Sequence, residues 1–265
     1  MVRLIGMAAG VIFSVVLLVA FFVPREATEP DPVKELHRYP REVSFAHSGP
    51  FGTFDRAQLQ RGFAVYKQVC SACHGLYHIS FRNLEEIGFS EAEVKAIAAE
   101  YEVPDVDPNT GEEVFRPAIP SDMWPRPFPN ETAARAANNN AYPPDLSLIV
   151  KARPDGEAYL YSLLTGYGEE PPAGFEVPDG LNYNPYFHSV NIAMVQPLMD
   201  DQIEYADGTP ATIDQMAKDV TAFLRWAAEP ELERRRQAGT ATLIFLAILS
   251  VLAFLTYRRV WADVK

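Results

Sequence analysis

A chain of 265 residues, 48% of them hydrophobic, has enough apolar side chains for a real core in one domain of generous size. Its formal net charge of -12 excludes nucleic acid as a natural partner. The acidity is concentrated, because Arg3, Arg258, Arg259, Lys265 and Asp263 sum to +3 and leave the middle of the chain at -15. That excess suits a cationic protein partner, or it serves only to keep the domain soluble.

Leu4 to Val23 is a run of 20 residues without a charge, enough to cross the ~30 Å hydrocarbon core of a bilayer as a helix. Arg3 precedes it and Pro24-Arg25-Glu26 closes it. The run is longer than a usual secretory signal core and no small-x-small site follows, so a retained anchor over residues 1–27 is expected rather than a cleaved leader. Thr28 to Phe51 is polar and carries Pro30, Pro32, Pro40 and Pro50, which predicts an extended lead with His37 and His47 in exposed loop.

Asp55 with Gln58 three places on reads as a helix N-cap and a variant capping box. Leu59, Phe63, Tyr66 and Cys70 then share one helical face that leads into Cys70-Ser71-Ala72-Cys73-His74. Two thiols three positions apart can each add to a vinyl group of one haem, and the histidine that follows becomes a proximal iron ligand. A thiol redox pair or half a zinc site would share the two cysteines, but a zinc site needs further Cys or His at ligand spacing and the chain has no third cysteine. Haem attachment consumes both thiols and points to the outer face of an energy-transducing membrane.

Ser90 with Glu93 is a second capping box, opening a helix whose buried stripe is Val94, Ile97, Ala98 and Tyr101 and which Pro104 stops. Seven prolines from Val103 to Pro129 exclude a helix or a central strand there, predicting a long ordered loop in which Met123 and Trp124 pack. Thr132 to Asn139, Leu146 to Ala152 behind Asp145, and Glu157 to Leu164 before Gly166 predict three short helices. Pro178-Asp179-Gly180 predicts a tight turn in a small hairpin. Thr212 with Gln215 opens a helix with Ile213, Met216, Val220, Phe223 and Ala227 on one face, so Met216 belongs to the core. Thr240 to Tyr257 is a second uncharged run, between Arg234-Arg235-Arg236 and Arg258-Arg259, with Tyr257 and Trp261 at an interface. It predicts a C-terminal transmembrane anchor. With the haem outside, Arg258, Arg259 and Lys265 face the cytoplasm, and the triple arginine is left for lipid headgroups or partner carboxylates.

A methionine on the iron's other face implies electron transfer at raised potential, whereas an open face implies ligand chemistry. Met123, Met194, Met199, Met216, His78 and His188 are the candidates. Met194 stands first because it lies in irregular chain between apolar neighbours, and Met199 stands next.

Several stretches together resemble cytochrome c1, the haem c subunit of the quinol-cytochrome c oxidoreductase of respiratory chains. They are Arg61-Gly62-Phe63, the run Val65 to Cys70, Pro143-Pro144-Asp145-Leu146-Ser147, Ser162 to Tyr167, Asn184-Pro185-Tyr186-Phe187 with Met194, and Phe223 to Pro230. The resemblance covers roughly residues 45 to 265. It implies that Cys70 and Cys73 hold one haem c, that His74 and Met194 are its axial ligands, that Arg153 pairs with a propionate, and that Tyr159 and Asn138 lie close by. It also implies a Rieske iron-sulfur protein as donor, a cationic cytochrome c as acceptor, and a dimeric complex in which a cytochrome b subunit does the quinol chemistry. The rival in the same class is a free-standing anchored cytochrome c serving an oxidase or reaction centre. A rival in another class is a haem enzyme or gas sensor with an exchangeable sixth site.

The expected architecture is therefore mostly α. A class I-like cytochrome c domain with long loop insertions spans residues 28–236 on the periplasmic face of a bacterial inner membrane. It lies between the anchor of residues 1–27 and a second anchor with a short cytoplasmic tail over 237–265.

Overall fold

A computed structural model describes residues 2–22 and 32–264 of the chain. Pro24-Arg25-Glu26, Pro30, the 27/28 boundary and Lys265 lie outside the described residues. The chain divides into two units, one ending at Leu36 and the other beginning at His37. In the first, α1 (Val2–Phe22) buries none of its side chains and α2 (Pro32–Leu36) is a single short turn of helix where an extended lead was expected. An all-round apolar helix of 21 residues is long enough to cross a bilayer.

The second unit is built on two helices, α3 (Arg56–Gln68) and α7 (Ile213–Ala228). Asp55 caps α3 as its sequence predicts, accepting from the backbone N–H groups of Ala57 and Gln58. The Gln58 side chain does not close a capping box but donates across to Asp219 on α7, at 3.2 Å. Thr212 likewise caps α7 through Gln215 N, while the Gln215 side chain turns to Asp219, at 2.9 Å. Both glutamines are drawn away by the same buried carboxylate, which also takes Arg61 Nε at 2.9 Å. An unpaired charge in that position would be costly, so the fold surrounds it with donors.

Leu59, Phe63 and Tyr66 face Met216, Val220 and Phe223, all buried, and Met216 is sealed in the core as expected. Trp124 packs 4.4 Å from the Phe81 ring and 5.8 Å from those of Phe63 and Tyr66. Aromatic pairs at such spacings contribute about 0.5–1.5 kcal/mol each beyond area burial. Met123 does not join that packing: it is exposed. Between α3 and this cluster run two 3-10 turns, Cys70–Ala72 and Phe81–Ile87, and then α4 (Glu91–Ala99) behind the Ser90/Glu93 capping box.

The proline-rich stretch departs from expectation. Helix α4 ends before Tyr101, and Pro104 sits inside a strand: β1 (Glu102–Val106) pairs antiparallel with β2 (Glu113–Pro117), Pro104 opposite Phe115. A two-stranded sheet has only edge strands, a setting where a missing N–H is tolerated. Next come α5 (Glu131–Ala137), capped by Asn130, and α6 (Gly156–Leu164). The helix expected over Leu146 to Ala152 is absent, and turns take its place. The Pro178-Asp179-Gly180 turn forms, with Leu181 N donating to Pro178 O and Gly180 at φ +75°. It leads into the small hairpin of β3 (Asn182–Tyr183) and β4 (Asn191–Ile192) instead of joining its strands.

The last helix, α8 (Leu232–Val260), is continuous through the triple arginine and the apolar run, about 43 Å at 1.5 Å per residue. Two of the three arginines are tied back to the domain. Arg235 Nε meets Glu229 at 2.5 Å, and Arg236 Nη1 donates to the carbonyls of His47 and Gly52 at 2.8 and 2.6 Å. Arg234, beside Glu231, and Arg235 both stay largely exposed. His47 also differs from expectation. It is buried, stacked 5.2 Å from Phe45 and 4.9 Å from Phe54, with Nε2 against Glu157. His47 and Arg236 thus fasten the foot of α8 to α6.

Candidate haem-binding site

Helix α3 ends where Val69 N donates to Val65 O, and Cys73 and His74 N–H groups both turn back to Cys70 O, at 3.1 and 2.9 Å. This tight turn presents both cysteines, neither in a disulfide, and His74 from one helix end. Burial pushes the Cys70 thiol up to about 12, with Cys73 adding to the shift. A thiol redox pair depends on a depressed pKa, so this environment speaks against that rival.

His74 Nδ1 lies 2.7 Å from the carbonyl of Pro144, an acceptor only, so the ring proton is on Nδ1 and Nε2 offers a bare lone pair. Burial lowers its pKa, against the opposing pull of the Pro144 carbonyl and Asp145, and keeps the imidazole neutral. A hydrogen bond from the distal ring nitrogen to a backbone carbonyl is the arrangement that orients a metal-binding histidine.

The Pro143-Pro144-Asp145-Leu146-Ser147 stretch holds the whole turn. Leu146 N donates to Gly75 O at 2.9 Å, Asp145 Oδ2 accepts from Tyr77 N at 2.9 Å, and Ser147 Oγ accepts from His78 N at 3.1 Å. Asp145 Oδ1 accepts from Ser147 N. These long-range bonds stand where turns replace the helix expected from Leu146.

On the other side of the chain, Asn184 is fully buried. It donates to Leu163 O at 2.8 Å and accepts from Tyr186 N, pinning the Asn184–Phe187 segment to the end of α6. A Cβ on Gly166 would stand 2.6 Å from the Tyr186 ring, so only glycine permits this approach. Val190, β-branched, sits at φ +52°, a costly conformation held by Val190 N to Phe187 O and Asn184 N to Val190 O, both 2.8 Å. From this braced loop the chain reaches Met194. Its carbonyl accepts from Tyr167 Oη at 3.0 Å and Asn182 Nδ2 at 3.2 Å.

Arg153 is exposed; burial raises the pKa of the Tyr159 phenol, and the nearby Arg153 guanidinium opposes the rise. Tyr159 in turn adds to the raised pKa of Tyr167, for which burial is the larger cause. Arg153, Tyr159 and Tyr167 form one electrostatic group, of which Tyr167 alone is hydrogen-bonded to Met194. Asn138 stands outside it: its Nδ2 donates back to Ala134 O at 2.7 Å and closes α5. Among the other ligand candidates, Met123, Met199, His78 and His188 are exposed and Met216 is sealed in the core, whereas Met194 is half-buried.

Sequence reasoning gave no role to Tyr167, Asn182 or Pro144, although Tyr167 and Pro144 stand in stretches that carry the family resemblance. It also missed Arg126, which lies 4.8 Å over the Tyr77 ring in a narrow crevice lined by Cys73, Tyr142 and Pro143. An arginine between two prolines was its only signal. The donor set fits a covalently held haem: two buried or half-buried thiols, a neutral histidine with Nε2 free, and a half-buried thioether on a braced loop.

The Cytochrome C1 family model matches residues 45–264. "Cytochrome c1, heme protein, mitochondrial" of Saccharomyces cerevisiae is 51% identical over 222 residues, covering 84% of this chain and 72% of that protein. "Cytochrome c1-2, heme protein, mitochondrial" of Solanum tuberosum is 47% identical over 249 residues, 94% of each chain. "Cytochrome b/c1" of Bradyrhizobium diazoefficiens is 46% identical over 240 residues, 83% of this chain and 35% of that protein. With the haem motif, the braced methionine loop and the matched region coinciding, this chain belongs to the cytochrome c1 family.

Proposed function

We propose that the chain is the one-electron carrier of a respiratory quinol-cytochrome c oxidoreductase, accepting electrons from a Rieske iron-sulfur protein and passing them to a cationic cytochrome c. Proteins of this family carry covalently bound haem c, which supplies a reversible one-electron Fe(III)/Fe(II) couple when bound. The observation that carries the reading is the His74 Nδ1 bond to Pro144 O, because it commits Nε2 to a metal beside two available thiols. Cys70 and Cys73 would hold the group, and His74 and Met194 would be its axial ligands. Arg153 would offset a propionate, with Tyr159 beside it and Asn138 at the end of α5 nearby. No residue of this chain is assigned bond-making chemistry.

The partners follow from the same reading: a cytochrome b subunit, the Rieske protein and a dimeric complex. The name "Cytochrome b/c1" carried by the Bradyrhizobium relative supports the pairing with cytochrome b. Two helices long and apolar enough to span a bilayer support membrane anchoring. Covalent haem favours a bacterial inner membrane with the haem domain on the periplasmic side, and that placement, rather than the flanking charges, which are basic on both sides, puts Arg258, Arg259 and Lys265 in the cytoplasm. Domain limits of 1–27, 28–236 and 237–265 complete the proposal.

Purification in mild detergent tests it. The chain is expected to travel with b-type haem and an iron-sulfur protein, and its isolation alone would identify a free-standing anchored cytochrome. Rapid carbon monoxide binding by the reduced native protein would identify an exchangeable sixth site instead.

The docking of a cationic carrier has its own test. Some acids have structural work: Glu169 meets Arg38 at 2.5 Å, and Asp200 accepts from Ile213 N at the start of α7. Glu170 and Asp201 are exposed. If the -15 middle segment steers the carrier, the bimolecular electron-transfer rate falls as salt rises from ~0.01 M, where the screening length is ~30 Å, to ~0.15 M, where it is ~8 Å. A flat response returns the acids to solubility.

A further inference from the structure

We propose that Tyr167 and Asn182 are positioning residues that clamp the Met194 loop through its main chain and so keep the axial position closed. The inference rests on the reading of Met194 as the sixth ligand. Strand β4 ends at Ile192, so the Met194 carbonyl has no ladder partner, and its bonds come from side chains instead. Tyr167 Oη donates to it at 3.0 Å, and Asn182 Nδ2 donates at 3.2 Å while also reaching Ile192 O at 3.4 Å.

The loop needs fastening at this point. Before Met194 the chain is braced by Asn184 and by the two bonds that hold Val190 in its left-handed conformation. After it, Val195 is 70% exposed and Gln196 bonds only locally, to Leu198 O. Met194 is therefore the last braced residue before a weakly held segment. The two donors come from different places in the chain, Tyr167 just past the end of α6 and Asn182 from the first strand of the small hairpin. Each ties the Met194 carbonyl directly to an element already packed beside the loop, the end of α6 or the strand β3.

If either bond is lost, the thioether should leave the metal more often, without any change in which residue is the ligand. The experiment compares Tyr167→Phe, Asn182→Ala and Met194→Leu with wild type in the detergent-purified complex. It follows imidazole uptake by the ferric protein, the weak red absorption of Met-ligated ferric haem, and the thermal unfolding midpoint. Tyr167→Phe removes one oxygen atom and no packing volume. It is expected to keep the red band and to take up imidazole about tenfold faster, the factor that the upper range of one lost hydrogen bond supplies. Asn182→Ala is expected to act in the same direction, while Met194→Leu loses the band outright. If Met194→Leu loses the band but both clamp variants take up imidazole at the wild-type rate, the clamp is wrong and the ligand assignment stands. A band that survives Met194→Leu overturns both. Uptake that accelerates only in proportion to a falling unfolding midpoint overturns the clamp as a positioning device.

Discussion

Met194→Leu is expected to lower the reduction potential by on the order of 0.1–0.3 V, a fraction of the roughly 0.8 V over which axial ligands set haem potentials. The direction follows from the thioether, a neutral, soft donor that favours ferrous over ferric iron and raises the potential when paired with histidine. Leucine matches methionine in volume, so packing is conserved while the donor is removed. The remaining methionines offer no ready substitute. Met123 and Met199 are exposed and Met216 is buried in the α3–α7 core. A redox titration of the purified complex, with the red absorption band followed in parallel, reads both consequences. An unchanged potential with the band retained would move the ligand to another residue. The electron-transfer rate to the acceptor is a less specific readout, because docking and driving force both enter it.

The parts of this protein that were legible in the sequence are those fixed by neighbours close in the chain. The Ser90 box, the Asp55 and Thr212 caps, the apolar faces of α3 and α7, and the haem motif at the end of α3 all depend on spacings of three or four residues. The failures arise where a distant partner outbids a local preference. Gln58 and Gln215 leave their capping boxes for Asp219, which no local pattern marks as a buried centre. Leu146 to Ala152 was expected as a helix but forms turns, with Asp145 and Leu146 bonded to Tyr77 and Gly75. His47 looks like a loop histidine until Glu157 and Arg236, 110 and 189 residues away, are brought to it. The β1–β2 hairpin was hidden by a rule that is sound only for central strands, since Pro104 and Pro117 sit where no third strand asks for their N–H. In the site, the same limit separates the motif residues from Tyr167 and Asn182. These act on Met194 through its carbonyl, and a carbonyl leaves no trace in the sequence.

Gly62→Ala should be among the most damaging single-methyl changes in the domain, against the usual trend for helices. In an isolated helix the substitution would stabilise by about 0.8–1.0 kcal/mol. Here a Cβ would stand 2.1 Å from the Asp219 carbonyl oxygen, 2.7 Å from its carbonyl carbon and 2.6 Å from Phe223 Cβ. Two of those atoms are backbone of α7, so no rotamer change relieves the overlap and the two helices must separate. Overpacking of this kind costs about 1–3 kcal/mol by itself. Separation also stretches the bonds from Gln58 and Arg61 to the buried Asp219, and uncoupling a buried ion pair costs about 3–5 kcal/mol when complete. Partial loss of the second term added to the first gives an expected destabilisation of about 3–5 kcal/mol. At roughly 2–4 °C per kcal/mol for a domain of this size, the unfolding midpoint should fall by about 10 °C. Gln68→Ala, at an exposed position of the same helix, should change stability by less than about 0.5 kcal/mol and serves as the control. Because α3 delivers Cys70 to the haem turn, the loss should also appear as a lower yield of chain carrying covalent haem. Equal midpoints for Gly62→Ala and wild type would mean that the close approach of α3 to α7 does not set the geometry of this core.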